Sequence, residues 1–151
     1  FLAAGSASSW QHDISRDVIP AMLANGDYVR AYPVRGFWAD IGTVERYHLG
    51  HMRLIDAPAD LEPERRPRTL GPWVPAQTSR GVAVGRVSVE GDVGHSFLYD
   101  GARVGKRAFV ADSIILPGGK VASGVTVRDS IVSQNEVVVE DRIGMTTLGV
   151  R

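Results

Sequence analysis

The chain has 151 residues, 44% hydrophobic and 23% charged, an ordinary balance that can fill the core of one domain or two small ones. Its 17 basic and 17 acidic residues cancel, which argues against nucleic acid or another general polyanion as partner. There is no cysteine, so disulfides and thiolate metal sites are excluded. That composition fits a reducing, cytoplasmic setting. No apolar run approaches a membrane span, and Phe1-Leu2-Ala3-Ala4 is too short for a signal sequence. The chain opens on Phe1 rather than methionine and closes on a repeat-like stretch, so a piece of a longer protein is expected.

In chain order, residues 5–9 are Gly, Ser and Ala and read as loop. A helical segment follows and ends near Asn25. Ile14, Val18 and Met22 recur every fourth residue, as do Ile19 and Leu23, which gives an apolar face. Pro20 belongs in a first turn, where its missing N–H does no harm. The regular helix is therefore expected from near Asp17, behind a looser turn, with Gly26 as its stop. Tyr28–Tyr32 reads as a strand closed by Pro33, and Gly36–Gly42 as a second strand ending in a turn. Thr43 suits the N-cap of the next helix, which carries Val44, Tyr47, Met52 and Ile55 on one broad face.

Residues 56–78 lose any period. Three prolines (Pro58, Pro63, Pro67) crowd with Arg65, Arg66 and Arg68, the composition of a linker or strap. From about Ser79 a 17-residue repeat runs to the end, roughly four coils. Ser96, Ser113 and Ser130 mark it. Val87, Val104 and Val121 form one apolar file, continued by Val138; Val93, Val110 and Val127 form a second. In the last coil Gly144 falls where the second file wants an apolar side chain, and Ile143 sits one place early. Gly101, Gly118 and Asn135 recur at corners that need positive φ. Such a period means a solenoid of short strands, in which each coil buries its files only against its neighbours.

The chemistry-bearing residues lie ahead of the coils. On a strand, Trp38 and Asp40 share a face, and Gly42-Thr43 turns into a helix start, a place where α/β proteins bind phosphorylated ligands. An aromatic plane beside a carboxylate suits a sugar; the carboxylate would equally hold Mg²⁺ against phosphate oxygens. Trp38 as plain core beneath the helix, and Asp13 as a simple helix cap, stand beside these readings.

His12-Asp13-Ile14-Ser15-Arg16-Asp17-Val18-Ile19-Pro20 resembles the H-D-F-G-K-D-I-I-P segment of ADP-glucose pyrophosphorylases (glucose-1-phosphate adenylyltransferases). Gly36-Phe37-Trp38-Ala39-Asp40-Ile41-Gly42-Thr43 resembles their G-Y-W-R-D-V-G-T segment, and Glu45, Tyr47, Met52 and Leu54-Ile55-Asp56 resemble the helix that follows. The layout matches over the whole chain, the motifs over His12 to Asp56. The resemblance implies the C-terminal part of a nucleotidyltransferase domain (1–55), a Pro-rich linker (56–78) and a left-handed parallel β-helix of hexapeptide-like coils (79–151). It implies that Asp13, Ile14, Trp38 and Asp40 line a glucose 1-phosphate pocket, and that Asp40 is also an Mg²⁺ ligand. The reaction would be attack of a sugar phosphate oxygen on the α-phosphorus of ATP, releasing pyrophosphate and making ADP-glucose for glycogen synthesis. Related enzymes use UTP, dTTP or GTP. The chain departs from the pattern at Ile14 (for Phe), Ser15-Arg16 (for Gly-Lys) and Ala39 (for Arg), which puts sugar and effector preference in play. The family's Gly-rich loop and catalytic Arg and Lys would lie upstream of Phe1. No catalytic residue is therefore assigned here, and the chain alone is expected to be inactive and to serve assembly, as a homo-oligomer, and regulation.

Other readings compete. His95 would be the general base of a hexapeptide-repeat acyltransferase, or a corner residue equivalent to Asp112 and Asp129. Glu45, His48 and His51 share a helix as a weak metal candidate. The 61–68 run is a solvated strap or an anionic-effector site.

Overall fold

The computed structural model describes residues 13–34, 37–56, 73–75 and 81–145. The chain divides into two compact units, Phe1–Gly36 and Phe37–Arg151.

In the first unit Asp13 caps a π-type turn, Ile14–Val18, which leads into α1, Ile19–Ala24. Pro20 lies in the first turn of α1, as its lost N–H requires. Asn25 is the C-cap, and Gly26 leaves the helix at φ +80°. The looser turn before a regular helix is thus present, but none of its apolar residues is buried. The strand expected at Tyr28–Tyr32 does not form: the segment is irregular. A strand needs a ladder partner for its N–H and C=O groups, and no described strand pairs with this one.

The second unit opens the same way. Residues 37–41 are irregular, not the expected strand, and also lack a ladder partner among the described residues. Thr43 Oγ1 accepts the Arg46 N–H at 3.2 Å, the N-cap bond that starts α2, Val44–Asp56. Within the 56–78 segment the described residues are Asp56, the last of α2, and Trp73–Pro75, which form strand β1 antiparallel to β2.

The remainder is a parallel β-solenoid of about four turns. Three files of strands make its sides. The first runs β1, β2 (Val82–Val84), β5 (Phe97–Leu98), β8 (Ile114–Ile115) and β11 (Ile131–Val132). The second holds β3 (Ser88–Val89), β6 (Arg103–Val104), β9 (Lys120–Val121) and β12 (Val137–Val138). The third holds β4 (Asp92–Gly94), β7 (Phe109–Ala111), β10 (Thr126–Arg128) and β13 (Arg142–Ile143). Inside, Leu98, Ile115 and Val132 stack with Val104, Val121 and Val138 and with Val93, Val110 and Val127, all buried. Each such side chain contributes about 1.5–3 kcal/mol by leaving water, so the stack holds the solenoid together.

Two details of register differ from the sequence reading. Val104 pairs with Val89, not Val87. The corner between β3 and β4 has only Glu90 and Gly91, two residues fewer than the Gly105–Ala108 corner of the next coil. The last coil repeats this economy: Val127 pairs with Arg142. Ile143, set beside Arg128, is 71% exposed, and Gly144 lies past the strand. The Arg142 guanidinium donates to Glu136 at 2.5 Å and to the Ile131 carbonyl at 3.4 Å. The corners predicted at Gly101, Gly118 and Asn135 do take positive φ, at 76°, 71° and 58°.

The repeated serines form a buried ladder. Ser113 N donates to Ser96 Oγ at 3.1 Å and Ser130 N to Ser113 Oγ at 3.2 Å. Each hydroxyl donates to the carbonyl two residues back, of Gly94, Ala111 and Arg128. The preceding residues, His95, Asp112 and Asp129, are left-handed at φ 40°, 48° and 46°, a conformation His and Asp tolerate better than most.

Candidate functional site

Alternation along the first file of strands turns Phe97, Ile114 and Ile131 outward while their neighbours point in. Helix α2 covers this apolar strip: Met52 is buried with Val82, Val84, Phe97, Ile114 and Ile131, and Tyr47, Leu54 and Ile55 pack beside it. Both helix histidines serve the docking. His51 Nδ1–H donates to the Tyr47 carbonyl at 2.8 Å, so its Nε2, 2.8 Å from Tyr99 Oη, accepts the phenol proton. Burial holds the His51 imidazole below its usual range, which keeps it neutral, and raises the Tyr99 hydroxyl, which stays a donor. His48 Nε2 donates to the Asp112 carbonyl at 2.6 Å. Metal ligation by Glu45, His48 and His51 is thereby set aside.

His95 is likewise occupied. Its Nδ1 lies 2.6 Å from Asp112 Oδ1 and its Nε2 3.0 Å from Asp56 Oδ1. It bridges the last residue of α2 to the next coil's corner. With both nitrogens engaged, neither faces an acceptor substrate, so the acyltransferase base is not formed.

The opposite face of α2 is open. Segment 37–41 lies across it at Gly50, where an added Cβ would sit 3.6 Å from Ile41 Cγ2 and 3.8 Å from Ala39 Cβ. Trp38, Asp40, Arg46, Leu49 and Arg53 surround a cleft of about 280 Å³. Trp38 is 73% exposed, so α2 does not bury it within this chain. Asp40 Oδ1 accepts the Gly42 N–H at 3.1 Å, and Oδ2 pairs with Arg46. The turn at Asp40 thus replaces the strand but still sets Trp38 and Asp40 into one cleft.

Asp13 and Ile14 belong to the other unit. Asp13 Oδ1 accepts Ser15 N at 2.8 Å, Ser15 Oγ at 2.6 Å and Arg16 N at 2.7 Å. The Ser15 hydroxyl first, then the Arg16 N–H, holds its carboxyl below the usual range. The capping role is therefore real, and Ser15, one of the departures from the family pattern, strengthens it. Ile14 is 71% exposed. The 61–68 run lies outside the described residues.

Magnesium wants six oxygens in near-octahedral array. Around Asp40 there is one carboxylate, with one oxygen held by a backbone N–H and the other by a guanidinium. No group of three His, Asp or Glu placed to hold a metal ion occurs among the described residues. These residues do not by themselves fit Mg²⁺. The sequence reading missed Arg46 and Arg53; their signal was a seven-residue spacing that keeps both on the face of α2 turned to Asp40.

The coils define the class: a hexapeptide-repeat β-helix protein. Residues 74–148 match the family described as GlmU-like, C-terminal hexapeptide. The chain is 46% identical over 108 residues to valienol-1-phosphate guanylyltransferase of Streptomyces hygroscopicus subsp. limoneus, covering 67% of this chain and 29% of the relative. It is 33% identical over 140 residues to the glucose-1-phosphate adenylyltransferases of Bacillus thuringiensis (strain Al Hakam) and Bacillus anthracis, covering 86% of this chain and 37% of each relative. Residues 74–148 form a GlmU-like hexapeptide domain, and the chain is a homologue of sugar-phosphate nucleotidyltransferases. Its coils are of the kind that form the left-handed β-helix expected from the sequence. It spans about a third of the length of the curated relatives it matches. No described helix is long and apolar enough to cross a membrane.

Proposed function

We propose that the chain is the C-terminal part of a sugar-1-phosphate nucleotidyltransferase. In this reading the coils carry assembly and regulation, and the Trp38 cleft contributes one wall of the sugar-phosphate site. The observation that carries it is the exposed Trp38 set beside Asp40 in a cleft on α2, directly ahead of hexapeptide coils. An exposed ring can meet a ligand, and a sugar's C–H face stacks on such a plane. The chemistry is in-line attack of the sugar phosphate oxygen on the α-phosphorus of a nucleoside triphosphate, with pyrophosphate leaving. The groups of this chain bind and orient; they do not transfer protons.

ATP and glucose 1-phosphate, giving ADP-glucose, are the substrates favoured by the match extending through 86% of the chain. A second reading, GTP with a cyclitol phosphate, is favoured by the higher identity to the guanylyltransferase over 67% of it. To test the nucleotidyltransferase reading, the chain is joined to the N-terminal two thirds of the Bacillus thuringiensis adenylyltransferase, and pyrophosphate release is followed. The reading expects release with glucose 1-phosphate and ATP from the joined protein and none from the 151-residue chain alone. A joined protein that folds, assembles and still releases nothing would refute it. Homo-oligomer formation through the coils is checked by light scattering on the chain; a strict monomer at high concentration would count against assembly.

A further inference from the structure

The histidines among the described residues are His48, His51 and His95, and all three sit where α2 meets the coils. His95 differs from the other two in its partners. The helix histidines bond carbonyls and a phenol. His95 lies between two carboxylates, with Asp112 Oδ1 2.6 Å from Nδ1 and Asp56 Oδ1 3.0 Å from Nε2. An ionised carboxylate only accepts, and a neutral imidazole carries a single N–H. Both bonds therefore close together only on the imidazolium. The corner that carries the ring is fixed independently of α2. His95 is left-handed at φ 40°, and the next residue, Ser96, is buried, its hydroxyl donating to the Gly94 carbonyl and accepting the Ser113 N–H. Asp112 has the same conformation one coil on, at φ 48°. Its carbonyl accepts the His48 Nε2–H, a bond that stands whether or not His48 is charged. Asp56 is the looser partner: it is the last residue of α2, and its side chain is 70% exposed against 43% for Asp112.

We propose that His95 is a proton-operated latch on the C-terminal turn of α2. As the imidazolium it ties Asp56 to the Asp112 corner; on giving the Nε2 proton to solvent it releases Asp56. The neutral ring keeps its one N–H on the shorter, less exposed bond to Asp112, so the Nε2 lone pair then faces the Asp56 carboxylate and repels it. The rest of α2 stays docked, since Met52 is buried against the coils and the bond from Tyr99 to His51 does not use the His95 proton. The two following coils carry Asp112 and Asp129 at this corner; the histidine in the first coil turns a row of carboxylates into a bridge to the helix. The latch is closed at low pH and opens as pH rises. His51 acts in the opposite sense, because its bond from Tyr99 needs the neutral ring. The three side chains of the latch are all partly exposed, so it adds little to global stability and governs local opening of the helix end.

Amide hydrogen exchange of the 151-residue chain reads the latch at residues 53–56. It is compared at about pH 6 and about pH 8, on either side of the ordinary histidine value, after correction for the intrinsic exchange rate at each pH. Protection of this last turn should fall by about two- to fivefold at the higher pH. His51 would produce a rise over the same interval, so the two histidines are separable by sign. His95→Asn suits the left-handed corner and carries no titratable ring; it should show the weaker protection at both pH values. Asp56→Asn, at an exposed position, should do the same with His95 in place. Histidine ring nitrogen shifts at about pH 6 should show both His95 nitrogens protonated. Equal protection of residues 53–56 at the two pH values in the parent chain overturns the latch. So does a pH dependence that survives Asp56→Asn, or a His95 ring with a single N–H at the lower pH.

Discussion

Replacing Ser113 by alanine tests the buried ladder that the 17-residue repeat encodes. Ser113 is fully buried. Its hydroxyl accepts the Ser130 N–H at 3.2 Å and donates to the Ala111 carbonyl at 2.7 Å. The Ala111 carbonyl retains a second donor, Asp129 N, at 3.2 Å. The Ser130 N–H retains no acceptor and is buried where water cannot reach it. An orphaned buried donor costs about 1–3 kcal/mol. Ser130→Ala is the internal control. Its single hydroxyl proton is shared between the Arg128 carbonyl at 2.6 Å and the Gly144 carbonyl at 3.0 Å, and the oxygen accepts no bond among the described residues. Arg128 O keeps the Gly144 N–H at 3.0 Å, so this loss should stay below about 1 kcal/mol. Urea unfolding with a slope near ~1.5 kcal/mol/M converts the Ser113→Ala cost into a midpoint drop of about 0.7–2 M. Ser96→Ala, which orphans Ser113 N, should behave like Ser113→Ala. A Ser130→Ala variant as unstable as Ser113→Ala would refute the reasoning, because the loss would then track the hydroxyl and not the orphaned N–H.

Two glycines should respond in opposite ways. A Cβ on Gly91 would lie 2.4 Å from the Ala108 carbonyl oxygen, which is backbone. Gly91→Ala should therefore lower stability by about 1–3 kcal/mol or more in denaturant titration. Gly50→Ala meets only ordinary contacts at 3.6 and 3.8 Å and gains helix propensity, so it should be neutral or stabilising by up to ~1 kcal/mol. The docking of α2 should also depend on pH. His51 is held below the ordinary histidine value of about 6.5 by burial, so the unfolded chain binds a proton first as pH falls. The contribution is complete above that value and is lost as pH drops below it toward the depressed folded value. Unfolding midpoints at pH 7.5 and 5.5 should differ in this sense, and His51→Gln should flatten the difference.

The repeat was legible because its side chains alternate at fixed offsets, and the Ser96, Ser113 and Ser130 spacing fixed three of the coils. Val87 misled because the Glu90–Gly91 corner is two residues short. A pattern of identical offsets cannot show a deletion that leaves a valine both at the expected offset, Val87, and at the true position, Val89. The same shortening put Arg142, an unexpected residue type, in register with Val127, where Glu136 and the Ile131 carbonyl satisfy its head group. Thr43 was readable because capping is local. The strands at Tyr28–Tyr32 and Gly36–Gly42 were not, since propensity marks a segment that suits a ladder without supplying the partner. Of the cleft, Trp38 and Asp40 were found by motif, whereas Arg46 and Arg53 emerged only once segment 37–41 was seen lying across α2.

The central claim is that Trp38 faces a sugar phosphate in a nucleotidyltransferase. Its most direct measurement is the KM of the joined protein for each substrate with and without Trp38→Ala. The account predicts that the KM for glucose 1-phosphate rises by roughly tenfold while the KM for the nucleotide is unchanged. An unchanged glucose 1-phosphate KM, or a loss confined to the nucleotide, would contradict it.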